Sequence, residues 1–108
     1  MKRLVILGGG ESGVGTALLG KAKGYEVFVS DNGKIKQEYK EVLIHNDIEW
    51  EEETHTASKI LNADVVMKSP GIPDKVALVQ QLKENQISVI SEIEFASKYT
   101  NATIVGIT

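Results

Sequence analysis

ILGGGESGVG, residues 6–15, carries five glycines in ten positions, directly after a short apolar run. The apolar run, Arg3–Leu7, is predicted to be a β-strand. Residues 12–23 are predicted to form a helix, because Val14, Ala17 and Leu18 recur on one side and Gly24 provides a stop. A glycine-rich turn between a strand and a helix predicts an α/β domain with a parallel sheet.

The glycine spacing is that of a phosphate-binding turn. Gly8, Gly10 and Gly13 match G-x-G-x-x-G, in which the first glycine permits the turn, the second admits a pyrophosphate close to the backbone, and the third allows close helix packing. Ser12 is expected to cap the helix or donate to phosphate. Glu11 is expected to point to solvent, since a carboxylate facing a phosphate repels it. The competing interpretation is a tight turn that binds nothing.

Asp31 follows the second predicted strand, 21 residues after Gly10. A carboxylate at this point can accept hydrogen bonds from the nucleoside end of a ligand, and in dinucleotide-binding domains it takes the ribose hydroxyls. The turn and Asp31 together therefore favour a bound nucleotide, with NAD as the first candidate. A plain helix cap is the alternative role of Asp31.

The rest of the chain alternates short apolar runs with helical stretches. This pattern predicts a three-layer, Rossmann-like parallel sheet of about five strands with helices on both faces. The apolar core of the fourth strand, Val65, Val66 and Met67, is typical of a sheet buried on both sides. Further strands are predicted at 25–30, within 48–53, at 63–69, 87–91 and 102–108. Helices are predicted within 32–46, at 56–61, after a cap at Asp74 with Val76, Val79 and Leu82 on one face, and at 92–100.

Composition excludes several classes of function. A net charge of −3 supplies no basic field for nucleic acid or an anionic membrane surface. The absence of cysteine removes disulfides and thiolate metal sites, and a signal-peptide hydrophobic region is missing. We therefore expect a cytoplasmic domain with neither nucleic acid nor membrane as partner.

Other polar groups receive ordinary structural interpretations. His45 and His55 lie ten residues apart, a spacing unsuited to a metal site, and both are expected to be solvated. The run EWEEE, residues 49–53, is expected to be a solvated charge run around a packed Trp50. Glu92 and Glu94 are expected to cap the last helix rather than to act as an acid/base pair. No metal ligands and no catalytic residues are predicted.

The motif order resembles the N-terminal domain of the Mur ligases, most closely their D-glutamate-adding members, over the whole chain. The shared features are a G-x-G-x-[ST]-G turn at Gly8 to Gly13, an aspartate closing the second strand at Asp31, and Ser69-Pro70-Gly71-Ile72 after the fourth strand. An acidic segment follows at Glu92-Ile93-Glu94. One departure is Gly33-Lys34 where relatives often have an arginine two residues after the aspartate.

The resemblance implies the site and its ligand. UDP-N-acetylmuramoyl-L-alanine would bind here for a ligase that adds D-glutamate in peptidoglycan precursor synthesis. Its carboxyl would be phosphorylated by ATP, with Mg²⁺, in the parent protein. The implied UDP-sugar-binding residues are Gly8, Gly10, Glu11, Ser12, Gly13, Asp31, Asn32, Lys34, Ser69, Pro70 and Gly71.

The resemblance also implies a domain division. Residues 1–100 would be the UDP-sugar-binding domain, and residues 101–108 a linker and first strand of a central ATP-binding domain. The central and C-terminal domains of the same protein would be its partners. The 108 residues lack a G-x-x-x-x-G-K-[ST] loop, so we expect them alone to be inactive. The alternatives are an NAD-binding module of a dehydrogenase or regulatory protein, and an interaction domain with an empty turn.

Overall fold

A computed structural model describes residues 1–73 and 75–99. These residues form a five-stranded parallel sheet with five helices. The strands are β1 (Arg3–Leu7), β2 (Glu26–Ser30), β3 (Glu49–Glu51), β4 (Val65–Lys68) and β5 (Ser88–Ile90). The helices are α1 (Glu11–Ala22), α2 (Gln37–His45), α3 (Ala57–Ile60), α4 (Ala77–Glu84) and α5 (Glu92–Ser97). The predicted α/β class and the positions of the five strands predicted before residue 92 are confirmed.

The strand order is β3-β2-β1-β4-β5. The chain first moves outward from β1 through β2 to β3, and then crosses back to place β4 on the other side of β1. Leu7 pairs with Ser30 on one side and with Lys68 on the other. The connections after β1 and β4 therefore diverge, and in open parallel sheets the crevice at such a switch point is where ligands bind.

Two apolar clusters, one on each face of the sheet, form the core. The first joins Leu4 and Ile6 to α1, α2 and α5, and the second joins Val5 and Leu7 to α3 and α4. Within β4, Val65 and Met67 belong to the first cluster and Val66 to the second. The prediction that this strand is buried on both faces is confirmed.

Helices α1 and α2 differ from prediction in detail. On α1, Leu18 is exposed, whereas Thr16 and Gly20 join Val14 and Ala17 on the buried face. The close approach of Gly20 to Leu4 sets that face, since a Cβ on Gly20 would lie 2.5 Å from Leu4 Cδ2. Helix α2 was predicted within residues 32–46 but begins only at Gln37, because residues 31–36 form a loop.

The end of the described chain is held by aromatic packing. Phe95 is fully buried and meets the rings of Tyr25 and Tyr99 edge-on, at centroid distances of 5.5 and 5.4 Å. Helix α5 starts with a capping box: Ser91 Oγ accepts from the Glu94 N–H at 3.1 Å, and Glu94 Oε1 accepts from the Ser91 N–H at 3.0 Å. The capping role predicted for this acidic segment is confirmed at Glu94.

Two predictions fall outside the described residues: the cap at Asp74 and the strand at 102–108. Helix α4 begins after Val76, which makes no side-chain cap hydrogen bond. Within residues 1–73 and 75–99, every helix is too short or too polar to cross a membrane.

Candidate functional site: the crevice at the switch point

The glycine turn after β1 is a tightly packed backbone corner. Gly8 has φ +110°, a conformation that residues with a Cβ rarely adopt, and its N–H donates to the Ser30 carbonyl at 2.8 Å. A Cβ on Gly13 would lie 1.9 Å from the Gly8 carbonyl oxygen. Gly8 and Gly13 therefore have the turn-forming and close-packing roles predicted for them.

The start of α1 presents free backbone donors. Within the described part of the chain, the N–H groups of Glu11, Ser12 and Gly13 have no hydrogen-bond acceptor. Gly10 is the N-cap and no side chain caps the helix, so the predicted capping role of Ser12 is wrong. Glu11 is exposed, as predicted. Free N–H groups and the positive end of the helix dipole make this terminus suited to an anion.

Gly10 differs from its neighbours because the protein's own packing does not require glycine there. A Cβ on Gly10 would meet no atom within 4 Å. The backbone is extended at this position, with φ −81°. The open space beside Gly10 is available to a ligand that approaches the backbone.

Asp31 braces the turn from the neighbouring strand. Its Oδ2 accepts from the Gly9 N–H at 2.7 Å, and its Oδ1 accepts from the Gly33 N–H at 2.8 Å. Helix α2 begins six residues later, at Gln37, so Asp31 does not cap it. A carboxylate oxygen can accept more than one hydrogen bond, and Asp31 can therefore hold the turn and still meet a ligand.

The Ser69-Pro70-Gly71-Ile72 segment forms a turn against the glycine turn. The Ser69 N–H donates to the Leu7 carbonyl at 3.0 Å, and the Ile72 N–H donates to the Ser69 carbonyl at 3.1 Å. A Cβ on Gly8 would lie 2.7 Å from Ser69 Cβ, so the two turns are in contact. The two turns thus form adjoining walls at the carboxyl ends of β1 and β4.

These walls enclose a cavity of about 490 Å³, a volume suited to a small-molecule ligand. The structure brings together more than half of the predicted site residues around it: Gly8, Gly10, Asp31, Asn32, Ser69 and Gly71. The others lie outside its lining: Glu11, Ser12, Gly13, Lys34 and Pro70. Lys34 is exposed, and Pro70 borders a second cavity of about 430 Å³ beside Ser91 and Glu94.

His55 lines the cavity, although the sequence placed it in solvent. Its Nδ1 lies 2.7 Å from Ser30 Oγ, and the residue is only partly exposed. Burial lowers the pKa of His55 below its usual value of 6.5, against the opposing effect of the Glu51 and Asp31 carboxylates. The available signal was its position directly after the third strand, at the carboxyl edge of a parallel sheet. His45 is exposed, as predicted.

The acidic run is also less solvated than predicted. Burial raises the pKa of Glu51, but hydrogen bonds from the Thr56 N–H and hydroxyl and from Ser30 outweigh it and hold that pKa below 4.5. Glu52 forms an ion pair with Lys40 at 2.7 Å and accepts from the Ile35 N–H at 2.9 Å, and these contacts lower its pKa. These carboxylates hold the loops around the cavity in place.

Trp50, between these acids, packs against the first core cluster, as predicted.

Among residues 1–73 and 75–99, no group of three or more histidine or acidic side chains is arranged to hold a metal ion. The cavity combines backbone donors that suit an anion with acceptors that suit a neutral polar group. These groups make it suited to binding a ligand that carries both.

Comparison with known proteins defines the family. The family model of the MurD N-terminal domain matches residues 3–78. The chain is 65% identical over 107 residues to the UDP-N-acetylmuramoylalanine–D-glutamate ligase of Christiangramia forsetii, covering 99% of this chain and 24% of that protein. It is 56% identical over 108 residues to the protein of the same name from Bacteroides thetaiotaomicron, covering 100% of this chain and 24% of that one.

Solved structures show the same architecture. A murein peptide ligase from Psychrobacter arcticus matches with TM-score 0.81 and 21% identity, over 91% of this chain and 20% of its own. A pseudomurein peptide ligase type C from Methanothermus fervidus matches with TM-score 0.74 and 26% identity, over 89% of this chain and 20% of its own. The class is thus a Rossmann-like domain of the Mur ligase type. Within that class, the chain belongs to the MurD N-terminal domain family. It spans about a quarter of the length of these curated relatives.

Proposed function

We propose that this domain binds UDP-N-acetylmuramoyl-L-alanine for an ATP-dependent ligase that adds D-glutamate in peptidoglycan precursor synthesis. The observation that carries the proposal is the cavity at the switch point, where Gly8 and Gly10 of the glycine turn, Asp31 and Ser69 line one space. The names of the relatives, which are UDP-N-acetylmuramoylalanine–D-glutamate ligases, supply the substrate.

The chemical fit divides the ligand between two parts of the site. The pyrophosphate carries only acceptors at neutral pH, which suits the unpaired N–H groups of Glu11, Ser12 and Gly13. Gly10 lets the phosphates approach because it has no Cβ. The uridine carries donors, which suits Asp31 and the amide oxygen of Asn32, both of which line the same cavity at the end of β2. Ser69, Pro70 and Gly71, in the turn after β4, and the exposed Lys34 complete the proposed set of binding residues.

ATP and Mg²⁺ belong to the parent ligase and not to the site described above. The chain lacks a P-loop sequence, and its described residues hold no metal-ligand cluster. Its own residues therefore do not fit either group, and their contribution is to bind and orient the UDP-sugar. We expect no ligation by this chain alone. Residues 1–100 would be the binding domain, and residues 101–108 would lead into the central ATP-binding domain. That central domain and the C-terminal domain of the same protein would be the partners of the binding domain. A cytoplasmic location, with no nucleic acid or membrane partner, belongs to the same proposal.

The proposal is tested by isothermal titration with UDP-N-acetylmuramoyl-L-alanine, comparing wild type with Gly10→Ala. The added methyl meets no protein atom but occupies the space where the pyrophosphate would approach, so binding should weaken at least about tenfold, or 1.4 kcal/mol. Replacing the N-cap glycine by alanine should cost about 1 kcal/mol in stability, a fall of roughly 4–8 °C in the midpoint of thermal unfolding, so the variant stays folded when the titration is run well below that midpoint.

Gly15→Ala is the matched control, since its Cβ also meets nothing within 4 Å but Gly15 does not line the cavity. Its affinity should equal that of wild type. Equal binding by Gly10→Ala and wild type would contradict the placement of the pyrophosphate at this turn.

A further inference from the structure

His55, Ser30 and Glu51 form a hydrogen-bonded chain that ends at the cavity. Ser30 Oγ lies 2.7 Å from Glu51 Oε2 and 2.7 Å from His55 Nδ1. Ser30 is fully buried at the end of β2, and Glu51 is at the end of β3, so two neighbouring strands fix the geometry. The Thr56 N–H and hydroxyl hold the Glu51 carboxylate from the other side.

The direction of these hydrogen bonds follows from counting protons. A serine hydroxyl has one proton to donate, and an ionised carboxylate can only accept. Glu51 is ionised at neutral pH because its pKa lies below 4.5. Ser30 therefore donates to Glu51, and its oxygen accepts from His55, which must carry its proton on Nδ1. The Thr54 carbonyl, 3.2 Å from Ser30 Oγ, is another acceptor and leaves this assignment unchanged.

This tautomer leaves Nε2 of a neutral His55 with a bare lone pair. In the described part of the chain, no donor pairs with Nε2, and His55 lines the cavity beside Asp31 and Asn32. A lone pair repels the phosphate oxygens of a nucleotide, which are also acceptors. The groups of a UDP ligand that can pair with it are the uracil N3–H and the ribose hydroxyls.

We propose that Nε2 of His55 accepts a hydrogen bond from the nucleoside part of the bound nucleotide, which makes His55 a specificity-determining residue. The inference rests on the proposed function, because it assigns a further contact to the same UDP site. Ser30 and Glu51 are positioning residues, since they fix the ring and its tautomer without reaching the ligand.

The experiment measures the affinities of UDP, N3-methyl-UDP, 2′-deoxy-UDP and 3′-deoxy-UDP for wild type and His55→Phe by calorimetry. Phenylalanine keeps a ring of similar size but has no acceptor. Wild type should lose about 2- to 10-fold in affinity for the analogue that lacks the paired donor, the range of one hydrogen bond. His55→Phe should bind UDP more weakly by the same factor and should not discriminate against that analogue. Weaker binding of N3-methyl-UDP than of UDP would place the contact at the base. Weaker binding of a deoxy analogue would place it at the ribose hydroxyl that the analogue lacks.

His45→Phe is the matched control, because His45 is exposed at the end of α2 and should behave as wild type. Lowering the pH through the range below 6.5 should weaken UDP binding by wild type, since protonation of Nε2 removes the acceptor. The Glu51 and Asp31 carboxylates, which face the ring, favour this protonation, but burial outweighs them and keeps the pKa of His55 below 6.5. The pH dependence of UDP binding should be smaller in His55→Phe, where the terminal phosphate of UDP still titrates in this range.

The outcomes separate the two proposals. If UDP binds wild type and His55→Phe equally, or if both discriminate alike among the four ligands, the role of His55 is wrong and the UDP site stands. If wild type binds no UDP, both proposals fail. Should thermal unfolding show that His55→Phe does not fold, the wild-type series decides alone: equal affinity of wild type for UDP and its three analogues overturns the role of His55.

Discussion

At the scale of single residues, the glycines of the turn are distinguished by the atoms around them. Gly13→Ala would place a methyl 1.9 Å from the Gly8 carbonyl oxygen and 3.3 Å from Ile6 Cγ2, so the Gly8 backbone leaves no room for it. We expect a loss of about 1–3 kcal/mol or more in the free energy of unfolding, as for other overpacked sites. Chemical denaturation measures this directly.

Gly15→Ala is the control for Gly13→Ala on the same helix. Its methyl would meet nothing within 4 Å, and alanine is the better helix former, so stability should rise by about 0.5–1 kcal/mol. If both substitutions shift stability in the same direction, the close contact between α1 and the glycine turn is not what determines stability at this position.

At the scale of elements, α5 depends on its capping box. Ser91→Ala removes the acceptor for the Glu94 N–H and should cost about 0.5–2 kcal/mol in stability, measured by chemical denaturation. Ser58→Ala is the matched control, since Ser58 is exposed on α3 and its hydroxyl makes no hydrogen bond within the described residues. A Ser91→Ala variant as stable as Ser58→Ala would show that Phe95 packing alone holds α5.

At the scale of the whole molecule, stability should fall in acid. His55 has a folded pKa below 6.5, so the unfolded chain binds its proton first and the folded state loses stability as pH falls from 6.5 through the folded pKa. Glu51 has a folded pKa below 4.5, and the stability it contributes above pH 4.5 is lost as pH falls through that folded pKa. Denaturation at pH 7.5, 5.5 and 4 should show a monotonic decline. Stability that is constant or rises over this range would contradict the assigned environments of both groups.

The sequence predicted the elements and most of the cavity because their causes are local or periodic. Consecutive apolar residues predict that strand β4 is buried on both faces, and the glycine spacing predicts the turn after β1. Of the two roles predicted for Ser12, the helix cap is wrong because the N-cap falls on Gly10, and donation to phosphate stays a prediction. His55 was missed because its role depends on a contact with Ser30, 25 residues away, that forms only when β3 pairs with β2.

The same long-range packing explains the acidic run. Glu51 and Glu52 look like a solvated cluster in the sequence, yet Thr56 and Lys40 pair with them once the loops fold back on the sheet. Asp31 was placed correctly, but its bonds to the Gly9 and Gly33 N–H groups depend on the strand register.

The most direct test of the central claim is a side-by-side calorimetric titration of the wild-type chain with UDP-N-acetylmuramoyl-L-alanine and with NADH. A domain that binds the UDP-linked sugar should give saturable heat with that ligand, at one site per chain, and none with NADH. Saturable NADH binding, with no heat from the UDP-linked sugar in a folded sample, would contradict it and assign the glycine turn to a dinucleotide. No heat from either ligand would leave an interaction domain with an empty turn.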